Sequence, residues 1–409
     1  MLKILNILPR IPTPTVDGGA IAVFYNLLNI KREGVEVVVA AFESNRHPQD
    51  REQMEQEFTL YSVPANFREY DSKSAFLNLF DARPYNLALR FDQDTFRDLL
   101  KRVRQDHPTF DVIQFDWVYM APYVPLVKSL WPDAKLILRQ HNAEYMIFGR
   151  MAEHEPAWHN RLFLKLQTAK MKRYESRALT WFDHVITLTD VDKQLFEGLL
   201  RRGAEARNPA AGDHPVITTI PAGVDIQRFA RPAGLPRKKQ FLILGSMSWA
   251  PYVQALLWFL NHVWQDVHEA IPEYTLNIVG SNPPPEVHAF HGHFNVNVLG
   301  FVDDIMPELH ESCAMIVPLK SGSGMRIKII EAMGAELPVI TTSVGCEGIP
   351  IEHERDCVIA DTVEALHDAI VSFTQFPDQG QSLAANAHHI ATEHFSWQNI
   401  ARKTVELYQ

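Results

Sequence analysis

The chain has little cysteine, no long apolar run and no excess of positive charge. Cys313, Cys346 and Cys357 are the cysteines of its 409 residues, and none forms a CxxC pair. That excludes a disulfide scaffold and points to reduced thiols in a cytoplasmic protein, packed as small side chains. No apolar run reaches the ~18 residues that a membrane span needs. The opening MLKILNILP carries one charge and no cleavage pattern, so it reads as a core strand rather than a signal peptide. A net charge of −10 argues against general affinity for nucleic acid. Short repeats, low-complexity tracts, a GxGxxG turn and a P-loop are also missing.

What is present is ordinary for a soluble chain: 46% hydrophobic and 22% charged. The length suggests two or more domains. Short apolar runs alternate with helical patterns in both halves, and Ala230–Gln240, rich in Pro, Gly, Arg and Lys, reads as a linker. This predicts an α/β protein of two doubly wound Rossmann-like domains facing across a cleft, 1–230 and 231–390, with a last helical segment 391–409. Arg51–Phe91 reads as irregular, with weak helical patches.

The most informative stretch is Ala314–Ile349. An apolar strand, Ala314–Val317, leads into a glycine-bearing loop, Ser321–Gly324, then a helical pattern, Met325–Ala335, and a second strand, Val339–Thr342. Such a βαβ unit binds ligands at the carboxyl end of the strand, where loop N–H groups and the helix dipole favour an anion. Arg326 and Lys328 fall in the first helical turn, where the dipole opposes cations; a bound diphosphate would account for them. Glu331, on the same face, could accept hydrogen bonds from sugar hydroxyls. The alternative is a plain surface pair of Lys328 with Glu331.

Other stretches carry weaker signals. Gly18-Gly19 turn a Pro-rich loop into a helix, Ala20–Lys31, and permit a donor sugar, phosphate or acceptor to approach closely. Strand Lys135–Leu138 ends in R-Q-H-N-A-E, placing His141 where sites form in open sheets; Asn142 and Glu144 could cap the next helix. The helix Asn160–Thr180 sets six cations between Arg161 and Arg177 against Glu175 alone, so 161–177 reads either as a solvated face or as a contact for anionic lipid.

These motifs together resemble family 4 glycosyltransferases of the two-domain GT-B fold, in a surface-polysaccharide branch. The resemblance runs nearly the full length. It rests on the loop ending at Gly18-Gly19, H-N-A-E-Y at His141–Tyr145 and I-P-A-G-V-D at Ile220–Asp225. It also rests on the run G-S-M-S-W-A-P-Y-V-Q-A-L-L-W-F from Gly245, and most specifically on P-L-K-S-G-S-G-M-R-I-K-I-I-E-A-M from Pro318. It implies transfer of a hexose from a UDP or GDP sugar to a glycan or lipid-linked acceptor, with retention and without a metal or other cofactor. It implies a donor-binding C-terminal domain, an acceptor-binding N-terminal domain and a last helix crossing back to the latter.

By the same resemblance His141, Arg326 and Lys328 are catalytic. Gly18, Gly19, Gly245, Ser246, Phe301, Val302, Gly322, Ser323, Gly324, Met325 and Glu331 hold the donor, and Asn142 and Glu144 the acceptor. Glu331 matches the second Glu of the family's Glu–seven residues–Glu motif, which holds the nucleotide ribose. The first Glu is replaced by Ser323, and the turn Gly245–Pro251 lacks the family's cations; Arg326 and Lys328 would supply that charge instead. A nucleotide-sugar epimerase of the same fold and a non-catalytic binding homologue are the competing readings.

Overall fold

The computed structural model describes residues 1–44, 49–65, 67, 71–91, 93–205, 215–247, 250–322 and 324–409. The chain divides into two compact units: Met1–Thr15 with Gly19–Pro221 and Ala401–Gln409, and Val16–Gly18 with Ala222–Ile400. The division thus falls at Pro221, and the Pro- and Arg-rich stretch 230–240 lies within the second unit.

The first unit is a seven-stranded parallel sheet: β1 (Lys3–Leu8), β2 (Glu36–Glu43), β3 (Thr59–Pro64), β4 (Val112–Asp116), β5 (Lys135–Gln140), β6 (His184–Thr187) and β7 (Val216–Thr219). Their order is β3-β2-β1-β4-β5-β6-β7. The central strands are buried along almost their whole length, as apolar strands covered on both faces must be. Four helices matter below: α1 (Gly18–Arg32), α2 (Ser72–Asn78), α3 (Glu144–His154) and α4 (Trp158–Ala178). Strand β3 corrects the irregular reading of Arg51–Phe91. It pairs with β2 from Thr59 to Pro64 but sits at the sheet edge with only Val63 buried, so its sequence lacks the apolar run that betrays an inner strand.

The second unit is a six-stranded parallel sheet, β8 (Gln240–Leu244), β9 (Thr275–Val279), β10 (Val296–Gly300), β11 (Ala314–Val317), β12 (Val339–Thr341) and β13 (Val358–Ile359), in the order β10-β9-β8-β11-β12-β13. Its relevant helices are α5 (Ala250–Phe259), α6 (Ile327–Gly334) and α7 (Trp397–Tyr408). The last residues of α7 group with the first unit, where Lys135 Nζ donates to the Leu407 carbonyl at 2.7 Å.

Each sheet reverses its winding once, between β1 and β4 in the first unit and between β8 and β11 in the second. At such a reversal adjacent loops run to opposite faces and leave a crevice at the strand carboxyl ends. The loops after β1, β4, β8 and β11 are therefore the positions where ligand-binding side chains are expected to gather.

Candidate functional site

In the second unit Gly245 follows β8 and Lys328 lies in the first turn of α6. The Lys328 ammonium donates to the Leu244 carbonyl and sits 4.2 Å from the centre of the Tyr252 ring on α5. Among the described residues no carboxylate comes within 4.0 Å of it. Burial pushes its pKa down to about 7; Arg326 adds to the fall and Glu331 opposes it. Burial likewise pushes Glu331 up to about 7, against the attraction of Arg228 and Lys328. The plain surface pair is not formed: Lys328 and Glu331 are half-buried, and among the described residues they do not come within 4.0 Å of each other.

Glycine is required here for space. A Cβ on Gly245 would collide with the Lys328 ammonium and come 2.8 Å from the Tyr252 ring. The next residue, Ser246, has its hydroxyl 3.3 Å from that of Ser281, and Met247 N–H donates to the Ser281 carbonyl at 3.0 Å. The loops after β8 and β9 are thus tied together beside the lysine. The Tyr252 hydroxyl is buried and has no hydrogen-bond partner among the described residues.

The loop after β11 differs from its sequence reading in one respect. Helix α6 begins at Ile327, so Arg326 is its cap residue, with φ −90° and ψ 84°, rather than part of the first turn. The buried Arg326 guanidinium folds back to donate to the Gly324 carbonyl. Gly322 and Gly324 have φ of 136° and 78°, backbone conformations that favour glycine. Met325 is half-buried against the core. Ser323, where the resemblance expects a Glu, lies outside the described residues. Phe301 is exposed and Val302 half-buried; both follow β10, which is separated from β8 by β9. Gly18 belongs to the stretch Val16–Gly18 that groups with the second unit, and a Cβ there would lie 3.6 Å from Ile327. Gly19 groups with the first unit.

In the first unit His141, just past β5, has its Nε2 2.8 Å from Asp116 Oδ1 at the end of β4. A carboxylate only accepts, so Nε2 carries the proton. The ring stacks on Trp117, with centroids 3.8 Å apart and planes at 10°. Trp117 holds a φ of 64°, a conformation rare for a bulky side chain and concentrated at functional positions. Burial, only partly offset by Asp116, lowers the His141 pKa and keeps the imidazole neutral near pH 7. Asn6 Nδ2 at 2.7 Å and Gln114 Nε2 at 3.0 Å also donate to Asp116 Oδ2. Tyr408 of α7 donates to Gln114 Oε1 at 2.6 Å. Arg139 is fully buried beside this group; burial lowers its pKa, and Asp116 and Tyr408 attract it.

The sequence reading missed Asp116, Trp117 and Tyr408. The signal for Asp116 was available, because it is a polar residue at a strand's carboxyl end, the same rule that singled out His141. The cap assigned to Asn142 and Glu144 is corrected. Helix α3 is capped by Glu175 of α4, whose two oxygens accept from Glu144 N–H and Tyr145 N–H at 3.0 Å each. Glu144 is buried, accepts from Tyr119 at 2.8 Å and is pushed up to about 7 by burial. Burial and the neighbouring Glu144 raise Glu175 well above the usual carboxylate range.

A cavity of about 650 Å³ opens elsewhere in the second unit, lined by Arg231, Arg237, Lys239, Tyr274, Cys313 and Phe373 among others. Its arginines are committed to backbone: Arg231 donates to His310 O at 3.0 Å and Arg237 to Ser312 O at 2.7 Å. It lies by residues at the amino ends of β8 and β11, away from Gly245, and is not the candidate site. Among the described residues no group of three or more His, Cys, Asp and Glu is arranged to hold a metal ion, and no helix is long and apolar enough to cross a membrane.

Residues 238–375 match the family model described as "Glycosyl transferases group 1". An "uncharacterized 44.6 kDa protein in cps region" of Klebsiella pneumoniae is 23% identical over 167 residues, 39% of this chain and 43% of the relative; the match spans less than half of that protein. Anabaena HepE in complex with UDP has a TM-score of 0.69 at 14% identity, over 99% of both chains. The same protein with UDP-glucose has a TM-score of 0.66 at 14% identity, over 100% of this chain and 99% of that one. Sucrose-phosphate synthase from Thermosynechococcus elongatus has 0.68 at 15%, over 100% and 98%. At these identities the likeness is one of fold. The chain has the GT-B fold of two Rossmann-like domains, and the stretch matching the glycosyltransferase model contains Gly245, Arg326, Lys328 and Glu331.

Proposed function

We propose that the protein is a glycosyltransferase that moves a hexose from a UDP or GDP sugar to a glycan or lipid-linked glycan, with retention and without a metal. The observation that carries this reading is the Lys328 ammonium. It is held against Gly245 beside the sheet's winding reversal, without a carboxylate in contact among the described residues. The anion it suits is a diphosphate. When the bond between the anomeric carbon and the phosphate oxygen breaks, its electron pair stays on the diphosphate, and Lys328 and Arg326 neutralise the new charge. Preorganised donors of this kind contribute about 3–4 kcal/mol each where water is excluded. The acceptor oxygen forms the new bond to the anomeric carbon, and its proton passes to the departing diphosphate.

Glu331 accepts from the nucleotide ribose. The backbone at Gly245, Ser246, Gly322 and Gly324 lies close to the donor, and the neutral His141 contacts the reacting sugar or the acceptor. The match of 238–375 to a glycosyltransferase model and the UDP-glucose complex of a protein with the same fold support the donor class. The test is thermal stabilisation by a panel of UDP-, GDP-, ADP- and CMP-sugars, followed by product analysis. A ligand at 100 times its dissociation constant adds about 2.7 kcal/mol. One strong UDP or GDP hit, with transfer surviving a chelator, is expected. No hit across the panel, or activity abolished by chelation and restored by a divalent ion, contradicts the reading.

A further inference from the structure

The exposed surface of α4 and the chain around α2 are unlike the rest of the molecule. Phe76, Leu77 and Phe80 are 61%, 59% and 81% exposed, and Trp158 and Leu162 are 76% and 63% exposed. With Leu79, these two stretches hold half of the large hydrophobic side chains exposed among the described residues. Single exposed apolar residues are ordinary, but a group of them is not.

The two stretches are parts of one surface. Gln167 of α4 donates to Asn78 Oδ1 at 2.9 Å and accepts from Tyr85 N–H at 2.8 Å. Lys170 donates to the Asn78 carbonyl. The rings of Tyr85 and Phe163 meet edge to face at 5.7 Å. The segment carrying Phe76 and Phe80 is thereby pinned against the middle of α4. Phe76 and Phe80 themselves form an edge-to-face pair at 5.8 Å, two rings turned outward together.

The exposed charge of α4 has one sign. Arg161, Lys165, Arg173 and Arg177 are exposed along α4, four or eight residues apart and so on a slowly winding stripe. The single acid of α4, Glu175, is buried and caps α3. Asp71 is spent capping α2 through Ser74 N–H at 2.8 Å, and Asp81 pairs with Arg83 at 2.9 Å. Glu153 is the exposed acid just before the helix. The chain as a whole is at −10, so a cationic stripe beside outward-facing rings runs against its average composition.

We propose that this face docks on the surface of an anionic lipid bilayer, with Phe76, Phe80, Trp158 and Leu162 entering the headgroup boundary and the α4 cations meeting lipid phosphates. The geometry fits an interfacial site rather than a span. Its aromatic side chains are of the kind that settle at headgroup depth, and the long Lys and Arg stems reach past them to the charged layer. A second copy of this chain is the poorer occupant, because an isologous contact would set Arg161, Lys165 and Arg173 against their own copies. The inference does not rest on the proposed reaction; a lipid-linked acceptor would give the docking a purpose.

The test is co-sedimentation of the full chain with vesicles of phosphatidylglycerol and phosphatidylethanolamine, and with vesicles of phosphatidylcholine alone. Binding to the anionic vesicles at least about tenfold tighter than to the neutral ones, weakened by salt, is expected. The double variant Phe76→Ser/Phe80→Ser, and separately Arg161→Glu/Lys165→Glu, should each lose about tenfold or more of that binding with unchanged melting temperature. All four positions are exposed; Arg161 also donates to the Glu155 carbonyl at 2.9 and 2.8 Å, so the melting temperature is the check that this variant stays folded. No binding by folded wild-type protein overturns the proposal, as does equal binding by both variants. So does a dimer, seen by sedimentation velocity without lipid, that Phe76→Ser/Phe80→Ser dissolves.

Discussion

In the first unit the Asp116 carboxylate takes three donors, from Asn6, Gln114 and His141. In the second unit the Lys328 ammonium has one carbonyl and one ring face. Both groups sit at the winding reversal of a parallel sheet, so the fold offers each the same kind of location. What differs is how the buried charge is compensated. Around Asp116 a relay runs from Tyr408 through Gln114 to His141, and the histidine is oriented by the protein itself. Around Lys328 the compensation is left incomplete, and the cost appears as a pKa brought down to about 7. A half-buried ammonium without a counter-charge is a liability for stability and an asset for binding an anion, whose arrival restores the proton's favour. The first region is built to position, the second to receive charge.

The sharpest way to break this contrast is to remove the receiving charge. Lys328→Met should lower turnover by about 10²–10³-fold, the range for one well-placed electrostatic donor; steady-state rates with saturating donor check it, and an unchanged kcat places the diphosphate elsewhere. Next is the orienting carboxylate. Asp116→Asn keeps the shape but lets either ring nitrogen of His141 carry the proton, and should cost about 10²-fold in kcat while leaving the KM for the donor unchanged. A rise in donor KM instead would assign Asp116 to donor binding.

The pH dependence sharpens the comparison further. In the free protein Lys328 loses its proton as pH rises through about 7, so affinity for a nucleoside diphosphate should decline above that pH. Glu331 loses its own proton in the same region and accepts ribose hydroxyls best when charged, so affinity should rise as pH climbs towards 7. The product is a maximum near 7. Lys328→Met should flatten the alkaline limb, and Glu331→Gln the acid limb, with about a tenfold loss of affinity at the maximum for a hydrogen bond to a charged group. Calorimetric titration from pH 5.5 to 8.5 reads both limbs; a pH-independent affinity in wild type contradicts the assignment. The smallest effect belongs to the relay's far end. Tyr408→Phe removes one buried hydrogen bond and should cost about 1 kcal/mol in denaturant unfolding; a larger loss would mean that the hydroxyl also balances Arg139.

Much of the architecture was legible because the inner parallel strands, buried on both faces, are apolar runs that stand out between turn signals. Thr59–Pro64 was not, since an edge strand exposed along most of its length carries no such run. The loop and helix from Ser321 to Glu331 were legible from glycine, cation and carboxylate spacing, yet the helix start was read two residues early. Arg326 looks helical in composition, but its backbone is used to turn the loop. The Asp116–His141 pair was half legible: each residue obeys the rule for strand carboxyl ends, while their pairing depends on register between β4 and β5, which one sequence does not display. The Glu175 cap was hidden for the same reason, being a contact between residues 31 apart. The charge pattern of Arg161–Arg177 was visible, but the aromatic surface beside it comes from a segment some eighty residues earlier.

The measurement that bears most directly on the central claim is a calorimetric comparison of UDP with uridine, and of GDP with guanosine, on wild type and Lys328→Met. The account predicts that the substitution weakens the preferred diphosphate by about tenfold or more, the worth of a charge-assisted hydrogen bond, and leaves its nucleoside unchanged. Equal losses for diphosphate and nucleoside, or no loss for either, would contradict the claim that Lys328 is the group that receives the diphosphate.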